Sequence, residues 1–121
     1  MKIPANAPAK TKPILRAAIK AVEEVAPKAE EIAYSMDQPR TSRMMWKLVR
    51  YALDGTNVVG IGTFADQSSM FFYRGRELDA GDGLLQGSGK DTRFVTLRSP
   101  ADVQSPSVKR LLKAAFRHAS D

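Results

Sequence analysis

The chain has 121 residues, of which 43% are hydrophobic and 26% charged, a balance typical of one folded domain. It contains no cysteine and a single histidine, which excludes a disulfide framework, an iron–sulfur cluster, a thiol nucleophile and a multi-histidine metal site. Lysine and arginine number 19 against 13 acidic residues, so the net charge is +6.

The first twelve residues differ in composition from the rest. They contain Pro4, Pro8 and three of the lysines, but no acidic residue and no apolar periodicity. We therefore predict a flexible basic arm over residues 1–12 and a single domain over residues 13–121. No apolar run reaches the length of a membrane span, and the N-terminus lacks the apolar core of a signal peptide. These features predict a cytoplasmic protein without membrane contact.

Residues 13–26 form the first predicted element, a helix. Leu15, Ile19 and Val22 recur at three- and four-residue steps and give the helix one apolar face. Pro27 ends this helix, because the residue before a proline is pushed out of helical geometry.

The middle of the chain reads as β-structure. Segments rich in β-branched and aromatic residues predict strands at 32–36, 46–53, 57–64, 69–73 and 92–98. Asp54-Gly55 is a hairpin signal, since both residues tolerate the positive φ of a tight turn. The connection 74–91 is rich in glycine and is predicted to hold one helical turn around Glu77.

A second long helix is predicted over residues 106–119. Ser105 is a typical N-cap and Pro106 suits the first helical position, while Leu112 and Phe116 belong to the apolar face. The order of elements predicts an α+β fold. We expect an antiparallel sheet of about four to five strands, with the N- and C-terminal helices packed on one face.

Two glycines in the predicted sheet are candidate ligand-binding residues. Gly60 and Gly62 share one face of their strand and leave a trough without side chains, which indicates either close helix packing or a ligand groove. The sheet face away from the helices would keep exposed aromatic surface. That face is expected to be partly covered by the 74–91 connection or to form a homodimer contact.

The glycine-rich connection resembles a phosphate-binding loop only superficially. Position 84 is leucine where the Walker spacing needs glycine, and Asp91 follows Lys90 where a hydroxyl residue would bind magnesium. Arg93 is predicted to anchor this loop or to meet an anionic ligand there. An alternative is an ion pair with one of three nearby acids, Asp79, Asp82 or Asp91. His118 is expected to be a solvated helix residue.

Two segments, 27–36 and 83–98, resemble motifs of the YdhG-like domain of unknown function, and the resemblance extends over residues 14–119. It implies a small α+β domain, loosely similar to frataxin, and some members of that family are labelled intracellular iron chaperones. Four residues match the motifs as candidate ligand-binding positions: Tyr34, Gly87, Gly89 and Arg93. The chain departs from the family's Gly-Met-Pro at Ser35-Met36-Asp37, which weakens the iron label.

If the chain binds iron, the candidate ligands are four carboxylates that bracket the end of the first helix: Glu23, Glu24, Glu30 and Glu31. Neighbouring Lys20 and Arg16 dilute their charge, and the net positive chain repels a cation at long range. We therefore expect no bound cofactor, and at most weak iron binding.

The sequence thus predicts a non-enzymatic binding domain for a small ligand or protein partner. One alternative is an intracellular iron chaperone. Another is a nucleic-acid accessory protein that uses the basic arm and the basic face of the last helix: Lys109, Arg110, Lys113 and Arg117. That helix face carries no aromatic residue, so nucleic-acid binding is predicted to be absent or weak.

Overall fold

The computed structural model describes residues 3–41, 43–79 and 81–120. Its helices are α1 (Lys12–Val25), α2 (Gly75–Leu78), α3 (Pro100–Val103) and α4 (Pro106–Ser120). Its strands are β1 (Glu30–Ala33), β2 (Trp46–Leu53), β3 (Thr56–Thr63), β4 (Ser68–Phe72) and β5 (Arg93–Leu97).

The five strands form one antiparallel sheet in the order β1-β2-β3-β4-β5, so each strand pairs with the next along the chain. Asp54 (φ 50°) and Gly55 (φ 81°) form the tight turn between β2 and β3, as the Asp-Gly pair predicts. The sheet and the two long helices confirm the predicted α+β fold.

α1 and α4 pack on one face of the sheet. A row of apolar side chains crosses four strands on this face, from Val49 through Ile61 and Met70 to Val95, and each is at most 5% exposed. The helix residues predicted to cover them are also buried: Leu15 (0%), Ile19 (8%), Leu112 (0%) and Phe116 (6%). The hydrophobic core therefore lies between the helices and this face.

Two local predictions need correction. The first strand covers Glu30–Ala33 rather than 32–36, because its register with β2 begins at the pair Glu30–Ala52. α3 was not predicted, although Ser99-Pro100 repeats the capping pattern of Ser105-Pro106. The hydroxyl of Ser99 accepts a hydrogen bond from the amide of Asp102, which fixes the first turn of this short helix.

The described part of the predicted arm packs on the domain. Ala7 is 5% exposed and Thr11 is fully buried. The hydroxyl of Thr11 donates to the Pro8 carbonyl at 3.0 Å, and Lys12 Nζ donates to the Ala5 carbonyl at 3.0 Å. Residues 1 and 2, the beginning of that arm, lie outside the described residues. Residues before and after position 12 therefore both pack on the domain, so packing does not change at the boundary predicted there.

Candidate functional site

The sheet face opposite α1 and α4, here called the open face, carries a different row of side chains. Ile32, Arg50, Gly60, Phe71 and Phe94 stand next to one another across all five strands. This row lies one residue along each strand from the apolar row of the core and therefore points to the other side. It combines a cation, a glycine and two aromatic rings.

The trough predicted at Gly60 and Gly62 is filled. A methyl group at Gly60 would overlap the ring of Phe71, and one at Gly62 would lie 2.8 Å from Cγ and Sδ of Met45. The space beside these glycines is therefore occupied by the side chains of Phe71 and Met45, and the ligand-binding role of the glycines stays a prediction. They are needed because side chains from neighbouring residues of the sheet lie across the backbone at these positions.

Around Phe71 the open face holds a group of five side chains, here called the open-face cluster: Tyr34, Lys47, Arg50, Phe71 and Tyr73. Lys47 Nζ lies 5.8 Å from the ring centroid of Tyr34 and 5.9 Å from that of Phe71, and Arg50 Cζ lies 5.2 Å from the Tyr34 centroid. The Tyr34 and Tyr73 hydroxyls are hydrogen-bonded to each other. The Phe71 and Tyr73 rings meet edge to face at 5.7 Å. Cation–π attraction thus orders both cations.

The positive charge of the open-face cluster is not neutralised within residues 3–41, 43–79 and 81–120. Over those ranges neither Lys47 nor Arg50 has a carboxylate within 4.0 Å, and Arg50 Nε is buried without a hydrogen-bond partner. A buried donor without a partner costs free energy unless a ligand satisfies it. A guanidinium group in this state favours an anion nearby, and the exposed ammonium group of Lys47 adds a second positive charge.

The two tyrosine hydroxyls add hydrogen-bonding capacity to the cluster. Burial raises the pKa of Tyr73 well above its usual value near 10, and the hydrogen bond between the Tyr73 and Tyr34 hydroxyls raises it further, while the charge of Arg50 acts in the opposite direction. Tyr73 therefore stays protonated at neutral pH, as a donor or acceptor rather than a base.

The candidate residues of the glycine-rich loop lie apart from the open-face cluster. Arg93 Nη1 donates to the carbonyls of Gly89 at 2.6 Å and Thr92 at 2.9 Å, so Arg93 anchors the glycine-rich loop as predicted. Asp91, one of the acids predicted as an alternative partner of Arg93, instead forms an ion pair with Arg76, and the distance from Arg76 Nη2 to Asp91 Oδ1 is 3.9 Å. Arg93 pairs with Phe72 in the sheet and so starts on the face opposite Tyr34. The motif residues therefore belong to two separate places.

The loop itself meets the open face at one point. Gln86 pairs with Phe94 by two backbone hydrogen bonds, at 2.8 and 2.9 Å, and Gly87 adopts φ 116° beside the Phe94 ring. Leu85, next to them, is 8% exposed and joins the core. The 74–91 connection therefore extends the sheet beyond β5 rather than covering the cluster.

The carboxylates named for iron do not assemble into a metal centre. In the part of the chain that the structure describes, no three histidine, aspartate or glutamate side chains come together as a group that could hold a metal. Glu31 accepts a hydrogen bond from the Tyr51 hydroxyl at 3.0 Å. His118 is not simply solvated: its Nε2 lies 3.1 Å from Glu77 Oε2, with both side chains nearly half exposed.

Sequence reasoning missed Lys47 and Arg50, and the cause is a β-bulge. In a regular strand, residues three apart point to opposite faces. Here Lys47 pairs with Gly62 and Arg50 with Gly60, and the register shifts between Lys47 and Val49. The bulge places both cations on one face. The sequence alone indicates Tyr34, Gly60 and Gly62 as candidate residues, but it does not indicate the two cations.

Comparisons with known proteins add no family to this picture. The chain matches no protein-family model, no curated protein and no solved structure. The resemblance to the YdhG-like family therefore stays a prediction. Within the described ranges, no helix has the length and apolar character needed to cross a membrane.

Proposed function

We propose that this protein is a non-enzymatic binding domain whose open-face cluster binds an anionic group of its ligand. The observation that supports this most is the pair of cations, Lys47 and Arg50, held by aromatic rings and without a carboxylate partner in the described chain. A phosphate or carboxylate group would balance the charge of both cations.

Binding fits the chemistry of this cluster better than catalysis does. The groups beside the cations are phenol hydroxyls, and the raised pKa of Tyr73 keeps it from acting as a base near neutral pH. His118 is paired with Glu77, a residue of α2, and belongs to another part of the fold. The iron-chaperone alternative and a homodimer through the open face stay predictions, because no contact in the cluster favours either.

The proposal is tested by titrating the full chain with inorganic phosphate at constant ionic strength and following backbone amide shifts by NMR. We expect saturable shifts at Lys47, Arg50 and Gly60. Arg50→Gln should weaken binding by about tenfold, the usual size of one lost charge-assisted hydrogen bond. Lys47→Gln should weaken it less, because the Lys47 side chain is exposed.

The matched control is Lys113→Gln, an exposed lysine on α4. It removes the same charge from the chain and should leave the phosphate affinity unchanged. Equal losses in Lys47→Gln and Lys113→Gln would show that phosphate responds only to net charge. That result, or shifts confined to residues 87–93, would contradict the proposed site.

A further inference from the structure

Aromatic side chains continue across the open face on both sides of the cations. Tyr34 follows β1, Tyr73 follows β4 and Phe94 lies in β5, and all three are partly exposed. With an ordinary strand spacing near 4.8 Å, the face from β1 to β5 is roughly 19 Å wide. The rings therefore flank Lys47 and Arg50 over a distance much greater than one phosphate group.

We propose that the ligand of this face is single-stranded nucleic acid, lying across the strands from Tyr34 to Phe94. This inference rests on the proposed function, since it uses the same two cations to bind phosphates. It adds the rings, on which bases stack whatever their sequence. In RNA-binding domains with a four-stranded sheet, aromatic rings on the open face stack two or three bases, and this five-stranded sheet is wide enough for the same number.

The arrangement favours a single strand over a duplex. Base stacking needs unpaired bases with free faces, and a duplex offers only its backbone to a flat sheet. Two cations supply few phosphate contacts, so the rings must contribute much of the affinity. The glycines also matter, because Gly60 and Gly62 carry no side chain and so allow the Phe71 ring and Met45 to lie close to the backbone of the sheet. Side chains therefore project less from this part of the open face.

This inference differs from the expectation drawn from sequence, which placed nucleic-acid contacts on the arm and on α4. The basic face of α4 carries no aromatic ring among its lysines and arginines. The structure brings rings and cations together on the sheet instead, with Lys47 within 6 Å of the ring centroids of Tyr34 and Phe71. The two locations predict different sensitive residues and can be separated by substitution.

The test measures fluorescence anisotropy of a labelled eight-nucleotide oligothymidylate with the full chain. We expect tighter binding than to thymidine monophosphate, and a log–log salt slope near −1.4, since two phosphates contribute about 0.7 each in a single strand. Phe94→Leu should weaken binding by about tenfold through the loss of one stacking ring. If Phe94→Leu does not fold, Tyr34→Leu replaces it as the test variant, because Tyr34 is the ring at the other end of the open face.

Two controls match these variants. Phe64→Leu removes a partly exposed ring that lines a separate cavity beside Pro8 and Trp46, and should not change the affinity. Lys113→Gln removes a lysine from α4 and should not change it either. Circular dichroism and thermal unfolding establish that each variant folds.

The outcomes separate this inference from the proposed function. If phosphate binds but the oligonucleotide binds no tighter than thymidine monophosphate, the inference is overturned and the proposed function stands. Equal affinity for duplex, or loss of binding in Lys113→Gln but not in Lys47→Gln, also overturns the inference. If neither phosphate nor oligonucleotide binds, both are overturned.

Discussion

The two faces of the sheet carry adjacent rows of side chains with opposite properties. On the helix side, Val49, Ile61, Met70 and Val95 form a closed apolar row. One residue along each strand, on the open face, stand Arg50, Gly60, Phe71 and Phe94. Phe71 is only 5% exposed yet does not belong to the core cluster, and its ring is contacted by Lys47 and by the ring of Tyr73.

The difference between these rows separates stability from function. The helix side buries apolar area that has no use other than folding. The open face keeps two charges and a buried, unpartnered Nε on Arg50, which folding alone does not favour. Features that cost stability without a structural reason are expected at functional sites. The comparison therefore predicts that substitutions on the two faces change different measurable properties.

The largest expected effect belongs to the helix side. Leu112 is fully buried on α4, and Leu112→Ala should lower the free energy of unfolding by about 2–5 kcal/mol. Urea denaturation followed by circular dichroism measures this loss. The same variant, if it is still folded at the working temperature, should bind phosphate with unchanged affinity.

Met44→Ala is the control for this substitution. Met44 is 53% exposed, so its loss should change the free energy of unfolding by less than about 0.5 kcal/mol. Similar losses for Leu112→Ala and Met44→Ala would contradict the placement of the core on the helix side.

The helix side could be predicted from sequence because its signal is simple. Leu15 and Ile19 on α1, and Leu112 and Phe116 on α4, repeat at helical spacing, and burial follows from that repeat. The Asp54-Gly55 turn likewise needs only local chemistry, since it requires positive φ at two successive residues. Such signals are contained in a few neighbouring residues.

The open face could not be predicted in the same way. Its cations share a face only because of the bulge after Lys47, and a single extra residue in a strand has no local signature here. The contact between Tyr34 and Tyr73 joins residues 39 apart along the chain. Gly60 and Gly62 were recognised as unusual, but what fills the space above them depends on Phe71 and Met45.

A smaller effect is expected where the open face is most tightly packed. In Gly60→Ala the new methyl group overlaps the Phe71 ring, which Tyr73 also contacts. Moving this ring should cost about 1–3 kcal/mol of unfolding free energy, the usual range for overpacking. Unlike Leu112→Ala, this variant should also weaken phosphate binding, because Lys47 rests over the displaced ring. Denaturation and the NMR titration together measure both effects.

Gly89→Ala is the control, because a methyl group there would meet only the Thr92 carbonyl at 3.9 Å. It should change neither stability nor binding appreciably. If Gly60→Ala proves as harmless as Gly89→Ala, the Phe71 ring does not lie over Gly60 in solution, and the arrangement of the cluster described above is wrong.

The smallest expected effect depends on pH and concerns Tyr51, on the helix side of β2. Burial raises the pKa of its hydroxyl well above the usual value near 10, and the charge and hydrogen bond of Glu31 raise it further. The folded state therefore holds this proton more tightly than the unfolded state does. Its contribution to stability is fully present below pH 10 and is lost as the pH rises above that value.

Tyr51→Phe isolates this contribution. At pH 7 the variant should be less stable by about 1–2 kcal/mol, because it lacks the 3.0 Å hydrogen bond to Glu31. Above pH 10 the difference should shrink, because the Tyr51 phenol of the natural chain ionises once it is exposed in the unfolded state, and this ionisation stabilises the unfolded state. Urea denaturation of both proteins at pH 7, 9 and 11 measures the trend, and other titrating groups cancel in the difference. A difference that stays constant up to pH 11 would mean that Tyr51 ionises in the folded protein as readily as in the unfolded chain.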